Sequence, residues 1–390
     1  MEKETEKQNL GSGSIPGLMI KLAVPTIIAQ LVNLLYNLVD RIYIGHIREV
    51  GDIALTGLGL CFPVLMMVTA FAMLIGSGGA PRAAIYMGKG DNETAERILG
   101  NSVTSLIVIS VVLTIFLEAV AEPILWMFGA SEKTLPFALG YMRIYVAGSI
   151  FVMMTLGLNM FITTQGFAKI SMKTVLIGAI CNIILDPLFI FAFHMGVKGA
   201  ALATITAQAV SAVWVVRFLC GRRTKLRIQR RLLRLDAKVL PPVLALGLSP
   251  FIMQSTESLV NIAFNSSLKT YGGDPAVGAM TICSSIMQVF SLLFQGLSQG
   301  AQPIVGYNYG AGQLDRVKRT FRLLFFSSLC FSCAACAALE LFPGLFVSLF
   351  NDKPELVEIA VWALHIYAAG MFMLGVQFSC QQTFVALGQT

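Results

Sequence analysis

The chain has 390 residues, of which 56% are hydrophobic and only 13% charged, and its formal net charge is +7. A soluble domain carries about 25% charged residues, so this composition excludes one: there is too little polar surface to face water. The many separate apolar runs also exclude a signal peptide or a single anchor, and the pattern is that of an all-α polytopic membrane protein.

Windows of spanning length fall at 18–44, 54–80, 98–121, 135–158, 168–193, 198–219, 239–267, 276–304, 320–343 and 358–387, which predicts ten transmembrane helices. Loops between them are short except for 217–238, the most basic stretch of the chain. Placing the N-terminus in the cytoplasm puts most of the 28 lysines and arginines on the inner side, the orientation that the positive-inside rule selects. The basic stretch joins two spans, so it reads as an anchor against an anionic leaflet and not as a nucleic-acid site. The eight cysteines lie in or at the ends of apolar runs, a placement that predicts neither a disulfide framework nor a zinc site.

Shifted by 222 residues, the chain matches itself. Asp52 and Ala54 fall on Asp274 and Ala276, Gly88 and Gly90 on Gly310 and Gly312, Glu118 on Glu340, Tyr145 on Tyr367, and Gly166 on Gly388. Two parallel repeats are expected: an N-terminal lobe of six helices over 1–220, a cytoplasmic linker over 221–238, and a C-terminal lobe of four helices over 239–390. Residues 167–220 have no counterpart, so a truncated product is expected. Parallel repeats are one way to build a transporter whose lobes rock around a central cavity.

Polar residues inside the spans are the candidate site. An ionised carboxylate at mid-membrane costs about 2.5–3.5 kcal/mol on insertion scales, so each acid needs a reason. At 1.5 Å per residue, Asp40 lies roughly 33 Å along the first helix and Asp186 roughly 27 Å along the fifth. Asn182 shares the Asp186 face one turn earlier, and Thr204 and Thr206 enter at similar depth. Such an oxygen cluster suits a hard cation, and neighbouring carboxylates equally suit a proton carrier; either Na+ or H+ fits. Pro187 follows Asp186 and is expected to kink the helix and free carbonyl oxygens. In the seventh helix Glu257 shares a stripe with Gln254 and Asn261, which fits a cationic substrate or a proton relay. Asn33, Asn37 and Gln165 are further candidates for lining the cavity. Glu118 and Glu340 read as structural, and His46, His194 and His365 show no ligand spacing.

Taken together, the first-helix proline with VDRIYIGHI after it, GSGGAPRAAIYMGKGD paired with LSQGAQPIVGYNYGAG, and NIILDPLFIF followed by GVKGAALATITAQ resemble the multidrug and toxic compound extrusion (MATE) transporters over essentially the whole chain. The resemblance implies a two-lobed, inverted-V fold of which the last two of the usual twelve helices are missing here. It implies secondary active antiport: export of amphipathic, often cationic drugs by alternating access in exchange for Na+ or H+, by a monomer in the bacterial inner membrane. It implies no enzyme activity and no cofactor beyond the coupling ion, with membrane lipids and small organic substrates as partners. By residue, it places the cation site on Asp40, Asn182, Asp186 and Thr204 and the second-lobe acid at Glu257. Where some members have another acid in the tenth helix, FMLGVQFSCQQTF has glutamines. A lipid-linked precursor flippase and a transport-inactive truncated product are the alternatives.

Overall fold

The computed structural model describes residues 10–47, 50–350 and 354–389, apart from the side chains of Asp52, of several positions between 254 and 277, and of Glu355. The described residues form helices joined by short turns. In the first half these are α1 (Ile15–Gly45), α2 (Gly51–Gly88), α3 (Asn92–Ala119), α4 (Ala121–Met127), α5 (Leu135–Ala147), α6 (Ser149–Thr164), α7 (Ala168–Pro187) and α8 (Val197–Cys220). The second half has α9 (Leu240–Gly310), α10 (Leu314–Leu341), α11 (Pro343–Ser348), α12 (Pro354–Ala368) and α13 (Met371–Ala386). The 71-residue α9 is two arms that meet at Gly273, whose φ of 66° and ψ of −165° break the helical path; an L-residue resists that backbone.

Seven helices among the described residues are long and apolar enough to span a bilayer, and nine if each of two bent pairs counts as one, against ten expected. The pairs are α5–α6, bent by 55°, and α12–α13, bent by 44°. The expected span at 239–267 is represented only by the short apolar stretch Leu240–Met253, because much of the remainder lies where side chains are not described.

The repeat is visible in the helix bounds: α3 and α10 are both 28 residues long and start at Asn92 and Leu314, while α6 and α13 are both 16 long and start at Ser149 and Met371. Single contacts repeat as well. Cys61 Sγ donates to Ala138 O at 3.2 Å, and Cys283 Sγ to Ala360 O at 3.6 Å. Thr114 Oγ1 donates to Val146 O at 3.0 Å, and Cys336 Sγ to Ala368 O at 3.4 Å. Glu118 faces Arg143 at 3.8 Å, and Glu340 faces His365 at 2.6 Å. The Glu340–His365 contact is the second-half counterpart of Glu118–Arg143.

Contacts between the two halves cluster at the end that carries the N-terminus and the linker. Leu10, Ile15, Leu18 and Leu22 share a buried cluster with Ala301, Ile304 and Leu324. Glycines make the closest approaches: a Cβ on Gly78 would stand 2.0 Å from Val243 O and one on Gly247 1.8 Å from Leu74 O, while Gly88 and Gly310 meet Tyr307 O and Ile85 O at 2.0 and 1.9 Å. Small residues that let backbones touch are the usual means of packing helices in lipid, where apolar side chains gain little from leaving the tails. The Gly88 and Gly310 contacts are exchanged by the 222-residue shift, so this crossing lies on the pseudo-twofold axis.

Two straps reinforce this end. Leu10 O accepts from Asn308 Nδ2 at 3.0 Å and Gly13 O from Arg316 Nη1 at 3.0 Å, which fastens the start of the first half to the second. The linker in turn lies along α3: Asn101 Oδ1 accepts from Asp236 N at 2.6 Å, Thr104 donates to Leu233 O, and Glu96 accepts from Arg227 N at 3.0 Å and from the Gln229 amide.

Candidate functional site

The α7 helix carries Asn182 and Asp186 one turn apart, and α8 runs back beside it with Thr204. Asn182 Nδ2 donates to Asp186 Oδ1 at 3.1 Å and to Thr204 Oγ1 at 3.5 Å, so its two amide protons join the two helices. Asp186 is fully buried, Asn182 is 2% exposed and Asp40 8%. Asp40 and Asp186 lie within electrostatic range of each other. Arg41 also acts on Asp40 through space, but no ion pair within 4 Å joins them among the described residues.

These groups border a cavity of about 660 Å³ enclosed by α1, α2, α5, α6, α7 and α8, to which the second half contributes Gln299. Asp40, Asn182 and Thr204 are on its wall; Asp186 sits one layer behind and reaches it through Asn182. The arrangement leaves Asp40 Oδ1, Asn182 Oδ1 and Asp186 Oδ2 buried with no hydrogen-bond partner. Orphaned buried polar atoms are uncommon in folded proteins and call for a reason. All three are acceptors, so a hydrogen-bond donor, a proton on a carboxylate or a cation would satisfy them, and a hard cation fits such an all-oxygen set. Among the described residues no group of three or more His, Cys, Asp or Glu side chains is placed to hold a metal, so any cation site here depends on amide and hydroxyl oxygens beside the carboxylates.

Pro187 has helical angles, φ −63° and ψ −30°, and the chain continues into a π turn over Leu188–Ala192 in which Phe193 N donates to Leu188 O at 2.9 Å. The proline has no N–H to give to the carbonyl of residue 183. Thr206, equal to Thr204 in the sequence reading, donates instead to Leu202 O at 2.7 Å within its own helix.

Asn33 and Asn37 line the cavity, with Asn37 Nδ2 bonded back to Asn33 O at 2.7 Å. Gln165 does not. It is fully buried at the far end of α6, where its Oε1 accepts from Thr224 Oγ1, Lys225 N and Leu226 N at 2.7, 2.8 and 2.8 Å and its Nε2 donates to Phe161 O at 3.0 Å. With its hydrogen-bonding groups engaged, it staples the linker to the first half, which corrects its assignment as a cavity residue. Glu257, Gln254 and Asn261 lie on α9, but their side chains fall outside the described residues.

Three tyrosines of the cavity wall, Tyr36, Tyr141 and Tyr145, were missed as site residues. Tyr141 shares the cavity wall with Asp40 and Thr204, and its ring stacks on Tyr145 with centroids 6.1 Å apart. Their four-residue spacing was the available signal, since it sets both on one helix face.

Two repeated halves of apolar, membrane-length helices, the first of which encloses a polar, acid-lined cavity, define a membrane transporter. The MatE family model matches residues 25–188 and 250–390. Among curated proteins, the multidrug export protein MepA of Staphylococcus haemolyticus is 25% identical over 377 residues, covering 96% of this chain and 82% of that one. Two solved structures share the fold at 24% identity. A MATE transporter in complex with MaD3S superposes with a TM-score of 0.91 over 99% of this chain and 86% of its own. The outward-facing conformation of a multidrug resistance MATE transporter of the MOP superfamily gives 0.90 over 100% and 86%. The chain belongs to the MatE family. It is therefore a two-lobed, secondary active membrane transporter, not an enzyme.

Proposed function

We propose that this chain exports amphipathic, often cationic, small organic compounds by antiport against Na+ or H+. The observation that carries the proposal is the set of three orphaned buried oxygens on Asp40, Asn182 and Asp186, set on or just behind the wall of a cavity in a MatE-family chain. Arrival of the coupling ion engages these acceptors and offsets one of the two negative charges that Asp40 and Asp186 carry when both are ionised. A bound ion drives transport only if it binds the two states with different affinity. Asp40 on α1 and the Asn182–Asp186 pair on α7 are separate elements, so a rearrangement between them changes the ion's affinity. Tyr36, Tyr141 and Asn33 give substrate an aromatic and amide wall, and Glu257 is assigned the attraction of a cationic substrate or a proton relay.

In this reading the moving bodies are 1–220 and 239–390, joined by the strap 221–238, with six and four spans. The protein acts as a monomer in a bacterial inner membrane. Its N-terminus is cytoplasmic, which is supported by the concentration of lysine and arginine at that end. The lobes then meet on the cytoplasmic side and the conformation is outward-open.

The deciding experiment is substrate efflux from proteoliposomes under imposed Na+ or H+ gradients, with Asp186→Asn and Glu257→Gln alongside. Wild type should respond to one gradient and Asp186→Asn should lose that response while retaining substrate binding. A response to neither gradient refutes antiport, and an unchanged response in Asp186→Asn removes this cluster from the coupling.

A further inference from the structure

The linker strap does more than join the lobes. Where it lies on α3 it forms a pit of about 380 Å³ lined by Arg97 and Asn101 of α3 and by Arg231, Arg234, Leu235 and Asp236 of the strap. We propose that this pit binds the phosphate headgroup of an anionic phospholipid. Three guanidiniums surround it against the single carboxylate of Asp236. Arg97 is shared with Glu93 at 3.0 Å, and Arg231 spends its Nε on the neutral Gln229 Oε1 at 2.8 Å. Arg231 and Arg234 are exposed, leaving a net positive site. Guanidinium is the side chain best matched to phosphate, because its planar fork donates two parallel hydrogen bonds.

The strap holds these arginines in place before any ligand arrives. Residues 230–232 form a 3-10 turn. Leu232 O rests so close to α3 that a Cβ on Gly100 would stand 2.3 Å from it, and Asn101 and Thr104 fix the flanking residues. A site whose supporting shell is fixed loses little order on binding.

The occupant is a lipid and not a free anion for two reasons. The pit opens at the second and third turns of α3, a membrane-spanning helix. Leu235, on its rim, is 45% exposed, an apolar edge that suits the glycerol and acyl part of an amphiphile and gives nothing to a soluble phosphate. Five residues further on, the strap enters α9, so a lipid held here braces the point where the second lobe begins.

The test uses the full-length protein in neutral detergent with a fluorescent phosphatidylglycerol. Arg231→Gln/Arg234→Gln should weaken binding roughly tenfold or more, since it removes two of the three guanidiniums that line the pit. Lys169→Gln/Lys173→Gln removes the same charge from exposed positions outside the pit and should change it little. Equal losses in both variants would reduce the effect to overall charge and overturn the proposal. Competition by glycerol 3-phosphate as effective as by the lipid would reassign the pit to a soluble anion and overturn it as well. Thermal unfolding in zwitterionic lipid, expected to be the same for all three proteins, separates lost binding from lost folding.

Discussion

Adding one methyl group at the glycine crossing should open the end of the transporter that is closed here. A Cβ at Gly88 would stand 2.0 Å from Tyr307 O, and ordinary contact begins at 3.4 Å, so Gly88→Ala forces α2 and the second arm of α9 apart by about 1.4 Å. The obstacle is a backbone carbonyl, which cannot rotate away as a side chain can. Overpacking of this kind costs about 1–3 kcal/mol. If the cost falls only on the state in which the lobes touch at this end, it shifts the balance toward the opposite state by about 5- to 150-fold. Gly310→Ala meets Ile85 O at 1.9 Å by the same geometry and should act alike. The assay is electron-electron distance measurement between spin labels on Lys89→Cys and Ala311→Cys, the exposed residues just beyond the crossing, in a background freed of native cysteines. A longer-distance population should grow in either alanine variant. A folded variant whose distance distribution matches that of Gly88 and Gly310 would refute the claim that this contact holds the lobes together.

Three further outcomes follow from contacts on the page. Gln165→Leu removes the acceptor that Lys225 N and the buried Leu226 N share, so it should lower stability by about 1–3 kcal/mol, measured as thermal unfolding in detergent, without altering substrate affinity in the protein that remains folded. Asn182→Leu removes both bonds to Asp186 and Thr204 and should abolish the gradient response in proteoliposomes as completely as Asp186→Asn. His365→Arg recreates in the second lobe the Glu118–Arg143 pair of the first, and because the site is partly exposed it should change stability by about 1 kcal/mol or less, whereas a large loss would show that the imidazole is needed for packing.

The repeat, the apolar helices and the Asn182–Asp186 pair were legible in the sequence because each is written in residue spacing, although the ten spans expected stand as seven to nine among the described residues. Residues four apart share a helix face, which joined Asn182 to Asp186, and a fixed offset between identities revealed the two halves. The same offset applied to Arg143 leads to His365, so the Glu340 pairing was within reach. What could not be read depends on chain returning from a distance. Gln165 resembles any amide in an apolar helix until residues 224–226 fold back onto it. The bends at α5–α6 and α12–α13 lie at Gly148 and Gly370, two of 35 glycines that nothing in the sequence singles out as bends.

The polar cluster and the closed end are linked through one helix. α1 carries Asp40 toward one end and, toward the other, Ala23 and Ile27, whose backbones would stand 2.6 and 3.0 Å from a Cβ on Gly300 and Gly296 of α9. Between them lies Pro25, with Thr26 Oγ1 bonded to Leu22 O at 2.8 Å. In the antiport proposed above, a shift of Asp40 on ion binding would move α1 and with it the Ala23 and Ile27 contacts to α9. Both halves build the crossing, and α1 connects it to the polar cluster of the first half.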